Sequence, residues 1–146
     1  MPDPSVDLYR YAVESTPGPN GTTARAEGDG LVEVAQLDGY AYVAASGAPA
    51  EQPAGVVLEP VTLTPELRAA LREASPLCRL IDAMVVQSIR ERYSVDDELY
   101  FARISVGTLM GAYTPEPGEL AALPQYQSHV EAAREWGRRE RGKLGL

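Results

Sequence analysis

The feature that most constrains the fold of this chain is a change of pattern near residue 64. Before it, apolar residues alternate with polar ones in short runs, and this segment holds 7 of the 12 prolines and 7 of the 13 glycines. After it, apolar residues recur every three or four positions. Alternation suits a strand and the longer spacing suits a helix. The sequence therefore predicts an α+β chain: a small antiparallel β unit of three to four strands over residues 1–63, with a Pro/Ala/Gly linker at residues 46–55, and a bundle of three to four helices over residues 64–146.

The most specific local signal is a hairpin in the first segment. Two alternating runs, Leu31 to Leu37 and Tyr40 to Val43, are separated by Asp38-Gly39. An Asp-Gly pair accepts the positive φ angles of a type I′ turn, which joins adjacent antiparallel strands. Further strands are predicted at Val6 to Glu14 and at Val56 to Leu63. Pro60 confines the latter strand to a sheet edge, because proline cannot donate a backbone hydrogen bond.

Helix-start signals divide the second segment. Thr64-Pro65 and Ser75-Pro76 each combine a capping side chain with a proline at the first helical position. Ser94 precedes three acidic residues in the manner of a capping box. After a break at residues 114–118, a last helix is predicted from about Pro124 to Arg141. The third helix carries an apolar seam with spacings of 4, 3, 4, 3 and 4, formed by Val95, Leu99, Ala102, Val106, Leu109 and Tyr113.

Composition and charge exclude several classes of protein. The net charge is −8, and residues 1–63 hold nine acidic but only two basic side chains. An acidic surface disfavours nucleic acid as a partner, because phosphates need stripes of lysine and arginine. The sequence contains no run of about 18 apolar residues, which is the length that a helix needs to cross a membrane. The start of the sequence is acidic and turn-like, so we expect no membrane association and no secretion by a signal of its own.

The residues that could carry catalysis are few. Cys78 and His129 are the single cysteine and the single histidine. Each lies on the apolar side of a predicted helix, so we expect both to be packed side chains. Asp96, Asp97 and Glu98 fit the first turn of a helix, where acids stabilise exposed amides. We therefore expect no catalytic residues, no metal ligands and no cofactor, although an enzyme with an unfamiliar site stays a further alternative.

Two groups of residues favour packing contacts. Gly107 and Gly111 form a Gly-x-x-x-Gly face that admits a close helix, from either this chain or another subunit. Aromatic side chains suit both cores and interfaces. We expect the helical group to be mainly core, namely Tyr100, Tyr113, Tyr126 and Trp136.

Three segments resemble a known family. These are Asp-Gly-Tyr-Ala-Tyr-Val at 38–43, Ile-Arg-Glu-Arg-Tyr-Ser at 89–94, and the pattern Tyr126-x-x-x-Val130-x-x-x-Arg134-x-Trp136. Together with the linker and the helical second half, they are similar to small tail-associated proteins of tailed bacteriophages, which include tail-fibre assembly proteins and minor baseplate components. The resemblance covers about half of the chain.

The resemblance implies a non-enzymatic structural or interaction protein, located in the virion tail or in the host cytoplasm during assembly. Its partners would be other tail or fibre proteins, with a homo-oligomer or a symmetric attachment to a trimeric or hexameric partner. An edge strand could pair with such a partner by strand addition. The predicted partner-binding residues are Tyr9, Tyr11, Tyr40, Tyr42, Arg138 and Arg139. The alternative function is a small intracellular bacterial adaptor or regulator that acts by protein–protein binding.

Overall fold

The computed structural model describes residues 5–13 and 24–146. This part of the chain contains four strands, β1 Asp7–Ala12, β2 Leu31–Leu37, β3 Tyr40–Ala45 and β4 Glu59–Pro60. It also contains four helices, α1 Pro65–Ala74, α2 Pro76–Arg90, α3 Val95–Leu109 and α4 Pro117–Gly142. An antiparallel sheet followed by helices confirms the predicted α+β class. None of the described helices is long and apolar enough to cross a membrane.

The four strands form one antiparallel sheet in the order β2-β3-β1-β4. The predicted β2–β3 hairpin is confirmed, because its two turn residues, Asp38 and Gly39, have φ angles of 51° and 82°. Such angles at both positions are what a type I′ turn requires. Strand β4 has only two residues and includes Pro60, and it lies at a sheet edge as predicted.

A β-bulge in β2 breaks the alternation expected from the sequence. Glu33 pairs with Val43 and Ala35 pairs with Tyr42, which leaves Val34 as the extra residue. Strict alternation predicts Val34 and Ala35 on opposite faces. Both are instead buried and belong to the same apolar cluster, because a bulge lets two neighbouring residues oppose one residue of the partner strand.

Ser75 joins the α1–α2 junction to this bulge. Its side chain is completely buried, and its hydroxyl donates a hydrogen bond of 2.6 Å to the Val34 carbonyl. The same oxygen accepts a hydrogen bond of 3.2 Å from the amide of Cys78, in the first turn of α2. Thus Ser75 caps α2 as the sequence predicts, and it also satisfies a carbonyl group of the bulged strand.

The contacts divide the chain into two compact units. The first contains residues 1–81 and 139–146, and the second contains residues 82–138. In the first unit, one apolar cluster includes Leu8, Tyr42, Leu71, Cys78 and Leu144, so helix and sheet residues share a core. A second cluster of the same unit contains Tyr11, Ala41, Val43 and Val56. The predicted boundary at residue 63 marks the change from strands to helices, and as a domain boundary it stays a prediction.

Aromatic rings hold the second unit together. The rings of Phe101 and Tyr126 stack with centroids 4.6 Å apart, and Tyr93 contacts Tyr126 edge-on at 5.1 Å. Beside them lie the buried side chains of Ile89, Val130 and Ala133. Residues of α2, α3 and α4 therefore meet in one core. The expectation that Tyr126 packs inside the helical part agrees with these contacts.

Helix α4 begins seven residues before the predicted start at Pro124. Pro117 takes the first helical position, and Pro124 lies inside the helix. The carboxylate of Glu119 accepts a hydrogen bond of 3.0 Å from the Glu116 amide, which closes the first turn. Pro117 and Pro124 could each begin a helix, and the contact between Glu119 and the Glu116 amide accompanies the start at Pro117.

Replacing Ser75 by alanine should destabilise the protein by about 2–4 kcal/mol, because the buried Val34 carbonyl loses its donor and α2 loses its cap. The matched control is Ser94→Ala, which removes the exposed cap of α3 and should cost about 1 kcal/mol. Chemical denaturation followed by circular dichroism measures both values. Equal losses for the two variants would show that the bond to Val34 contributes nothing.

Candidate functional site

The predicted seam of α3 exists, and it faces solvent. We name Val95, Leu99, Ala102, Val106 and Leu109 the α3 apolar face. The exposed fractions are 54% for Val95, 56% for Leu99, 55% for Val106 and 87% for Leu109, and Ala102 is exposed as well. Met110, which is 76% exposed, follows directly. The described residues thus leave a continuous apolar stripe uncovered, which in soluble proteins marks an interaction surface.

Two buried side chains determine which side of α3 faces outward. Phe101 and Ile104 are 8% and 4% exposed, and Phe101 stacks on Tyr126 in the core of the second unit. Since residues three apart lie on the same side of a helix, these two anchor one side of α3. The α3 apolar face occupies the other side.

The beginning of α3 is fixed by a complete capping box. The Ser94 hydroxyl accepts a hydrogen bond of 3.0 Å from the Asp97 amide. In return, the Asp97 carboxylate accepts one of 2.8 Å from the Ser94 amide. This confirms the role predicted for the acids at the start of α3 and keeps the first turn from fraying.

The end of α3 is closed by a Schellman motif. The Ala112 amide donates to the Gly107 carbonyl at 2.9 Å, and the Gly111 amide donates to the Thr108 carbonyl at 3.1 Å. Gly111 has a φ angle of 70°, which favours glycine at this position. A side chain at Gly107 would place its Cβ 2.9 Å from the Cβ of Tyr113. The two glycines are therefore explained by the Schellman motif and by the close contact of Tyr113 with Gly107. Packing of a second helix against them, from this chain or from another subunit, is not needed to explain the pattern.

Glu119 connects the end of α3 to the start of α4. Its two carboxylate oxygens accept hydrogen bonds from the hydroxyls of Tyr100 and Tyr113. These bonds raise the pKa of Tyr113 to about 12, raise the pKa of Tyr100 and lower the pKa of Glu119. Both tyrosines are more than 40% exposed, so the expectation that they are core residues is wrong. Their helical spacing gave no sign that a carboxylate would hold them at the surface.

Glu98 lies beside the α3 apolar face and joins α3 to its neighbours. Its carboxylate lies 2.7 Å from the Arg90 guanidinium and accepts a hydrogen bond of 3.2 Å from the Tyr126 hydroxyl. The hydrogen bond from Arg90 is the main cause of a lowered pKa at Glu98. The carboxylate of Glu98 is thus held as an anion at the rim of the face.

The four tyrosines predicted to bind a partner lie on two different faces of the sheet. Tyr9 and Tyr11 belong to the cluster with Ala41 and Val43, whereas Tyr40 and Tyr42 belong to the cluster with Leu8. Tyr11 and Tyr42 are each only 4% exposed, so they stabilise the first unit. Tyr40 is half-buried, with its ring 4.1 Å from the Arg10 guanidinium.

The two predicted partner-binding arginines have different surroundings. Arg138 forms ion pairs with Glu131 and with Glu135, the latter at 2.7 Å, within the second unit. Arg139 is exposed and belongs to the first unit. Partner binding by the six residues stays a prediction.

Both edges of the sheet carry features that obstruct strand addition. At one edge, β2 contains the bulge, and Ser75 already occupies the Val34 carbonyl. At the other edge, β4 is two residues long and Pro60 has no amide hydrogen to donate. Natural sheets use bulges, short edge strands and prolines in this way to prevent edge pairing. The α3 apolar face is therefore a better candidate surface than a strand edge.

The residues considered for chemistry take structural positions. Cys78 is 1% exposed in the core of the first unit. His129 belongs to the second unit, where its Nε2 lies 3.0 Å from the Ser88 carbonyl oxygen and its ring contacts Tyr93. Among residues 5–13 and 24–146, no group of three or more histidine, cysteine or acidic side chains is placed to hold a metal ion.

Replacing Tyr42 by serine should destabilise the protein by about 3–4 kcal/mol, because a buried aromatic side chain is lost from the core. Denaturation monitored by circular dichroism measures the change. A variant that keeps its stability but no longer binds a partner would instead support the docking role predicted from the sequence.

Replacing Glu119 by glutamine should lower the pKa of Tyr113 from about 12 toward its ordinary value of 10.0, because the Tyr113 hydroxyl loses its hydrogen bond to a charged carboxylate. A raised folded-state pKa adds stability below pH 10, and this stability is lost as the pH rises toward 12. The wild type should therefore lose more stability than Glu119→Gln over that interval. Ultraviolet absorbance of tyrosinate gives the pKa. Glu116→Gln is the control, because it also removes a charge that raises the pKa of Tyr113 but keeps the hydrogen bond to Glu119, so it should lower that pKa less. An unchanged titration in Glu119→Gln would contradict the role given to Glu119.

Comparison with known proteins yields no match. No protein-family description, no curated protein and no solved structure is significantly similar to this chain. Two features therefore bear on the function of the protein: the geometry of the α3 apolar face and the resemblance to tail-associated proteins.

Proposed function

We propose that this protein works by binding another protein chain through the α3 apolar face, as a non-enzymatic structural or interaction component of a bacteriophage tail. The observation that carries the proposal is the exposure of this face on a helix that is fixed at both ends. Burial of apolar surface is the main favourable contribution to protein association. Covering this stripe with another chain removes its apolar side chains from water.

The arrangement of the second unit supports a platform role. Tyr126, which belongs to the segment that resembles tail proteins, stacks on Phe101 of α3, and Val130 of the same segment lies in the adjoining apolar cluster. The contact from Tyr126 holds the inner side of α3 and leaves the outer side to the partner. A rigid helix face costs little ordering entropy when a partner binds.

The alternative, a small intracellular adaptor, is favoured by the size of the surface. The α3 apolar face and Met110 together offer six exposed apolar side chains, fewer than the roughly 20–30 residues per side of a standard interface. Small interfaces are typical of transient complexes. An adaptor would bind and release its partner, whereas a tail component would stay in a large assembly.

Replacing Leu99 by glutamate should remove the protein from its assembly without unfolding it, because a charge in the middle of an apolar interface cannot be solvated. The measurement is gradient sedimentation of a lysate from the source, with the fractions identified by mass spectrometry. Wild type and the control Leu80→Glu, at a leucine that is 57% exposed on α2, should sediment with a large particle or a fibre chain. Wild type that sediments alone or in a small complex would contradict the tail proposal and favour the adaptor.

A further inference from the structure

We infer that the α3 apolar face is covered by a second copy of this chain, in a parallel, in-register helix pair. The inference rests on the proposed function, because it names an occupant for the same face. It is carried by three observations on α3: the spacing of the apolar residues, their exposure and the charges at their borders.

The spacing is that of a coiled coil. Successive residues of the α3 apolar face lie 4, 3, 4 and 3 positions apart, which is a heptad seam over two repeats. Phe101 and Ile104, on the opposite side, are buried, and Phe101 stacks on Tyr126. The helix therefore presents one side to its own core and a heptad seam to solvent.

A parallel pair matches every residue of the seam with its own copy. Five layers form, at positions 95, 99, 102, 106 and 109. An antiparallel pair leaves either Val95 or Leu109 outside the layers, because the spacing does not read the same in both directions. Val95 is 54% and Leu109 is 87% exposed, so the parallel pair, which covers both, removes more apolar surface from water than either antiparallel register.

The charges beside the seam also suit a parallel pair. Glu98 and Arg103 border the seam on opposite sides, five positions apart in sequence, which are the positions that face each other across a parallel coiled coil. Glu98 is oriented by Arg90 and Tyr126, and its carboxylate has further acceptor sites. Arg103 is exposed and forms no ion pair within the described part of the chain. Two equivalent Glu98–Arg103 pairs would form across the dimer.

The α3 apolar face is small, so the dimer should be weak. Each chain contributes five seam residues, fewer than the roughly 20–30 residues per side of a standard interface. Association should therefore depend on protein concentration. Dimers should form at high micromolar concentration and dissociate on dilution.

The oligomeric state of the full chain tests the inference. Analytical ultracentrifugation of the wild type at high micromolar concentration should give twice the chain mass of 15.7 kDa. Leu99→Glu should weaken dimerisation at least tenfold, and Leu80→Glu, a control of the same residue type and exposure, should not. Arg103→Gln should weaken it several-fold by removing both cross-chain pairs. Circular dichroism verifies that each variant is folded.

A cysteine at position 109 tests the direction of the pair. In Leu109→Cys, the two thiols of a parallel dimer lie in one layer, so mild oxidation should link the chains through a disulfide. An antiparallel pair separates them by about 15 Å or more along the helix axis, at 1.5 Å per residue. The wild type, whose Cys78 is buried, is the control and should not be linked.

The outcomes separate this inference from the proposed function. A monomeric wild type, or a dimer that Leu99→Glu leaves intact, overturns the second copy as the occupant. If the Leu99→Glu variant nevertheless no longer sediments with the large assembly, the proposed function holds with a different partner on the face. A dimer in which Leu109→Cys does not form a disulfide overturns the parallel register.

Discussion

The stacking of Phe101 on Tyr126 inside the second unit is the constraint on which the rest of the candidate site depends. Helix α3 carries apolar residues on two sides, and Phe101 and Ile104 mark the side that is buried. Once Phe101 is stacked on Tyr126, the seam from Val95 to Leu109 has to face outward. The exposure of the α3 apolar face therefore follows from the packing of the aromatic core on the other side of the helix.

In the first unit, a comparable role falls to the buried hydroxyl of Ser75. The bulge in β2 leaves the Val34 carbonyl in the buried interior, where an acceptor without a hydrogen bond lowers the stability of the fold. Ser75 supplies the donor and at the same time begins α2, so one side chain couples the irregular strand to the helix junction. The bulge then brings Val34 and Ala35 to the same core. A strand that would otherwise offer a regular edge is thereby closed to pairing.

The sequence predicts those parts of the fold that short-range chemistry determines. The Asp38-Gly39 hairpin, the caps at Thr64, Ser75 and Ser94, and the edge position of Pro60 all depend on a few adjacent residues. Prediction fails where the deciding contact is distant in sequence. Tyr100 and Tyr113 meet Glu119 across a turn, and the start of α4 depends on the same carboxylate. Periodicity shows that α3 is amphipathic, but it does not show which of two apolar sides the rest of the chain will cover.

The ends of α3 explain why its exposed face is suited to binding. A capping box fixes the first turn, and the Schellman motif fixes the last one. Beyond that motif, Glu119 ties Tyr100 and Tyr113 together, so the connection to α4 is also held. A helix of 15 residues would fray as an isolated peptide. Here its backbone is ordered before any partner arrives, so most of the free energy of apolar burial remains available for association. An exposed seam on a preorganised helix, next to a fixed carboxylate and an arginine without an ion pair in the described part of the chain, has the physical properties of one half of an interface.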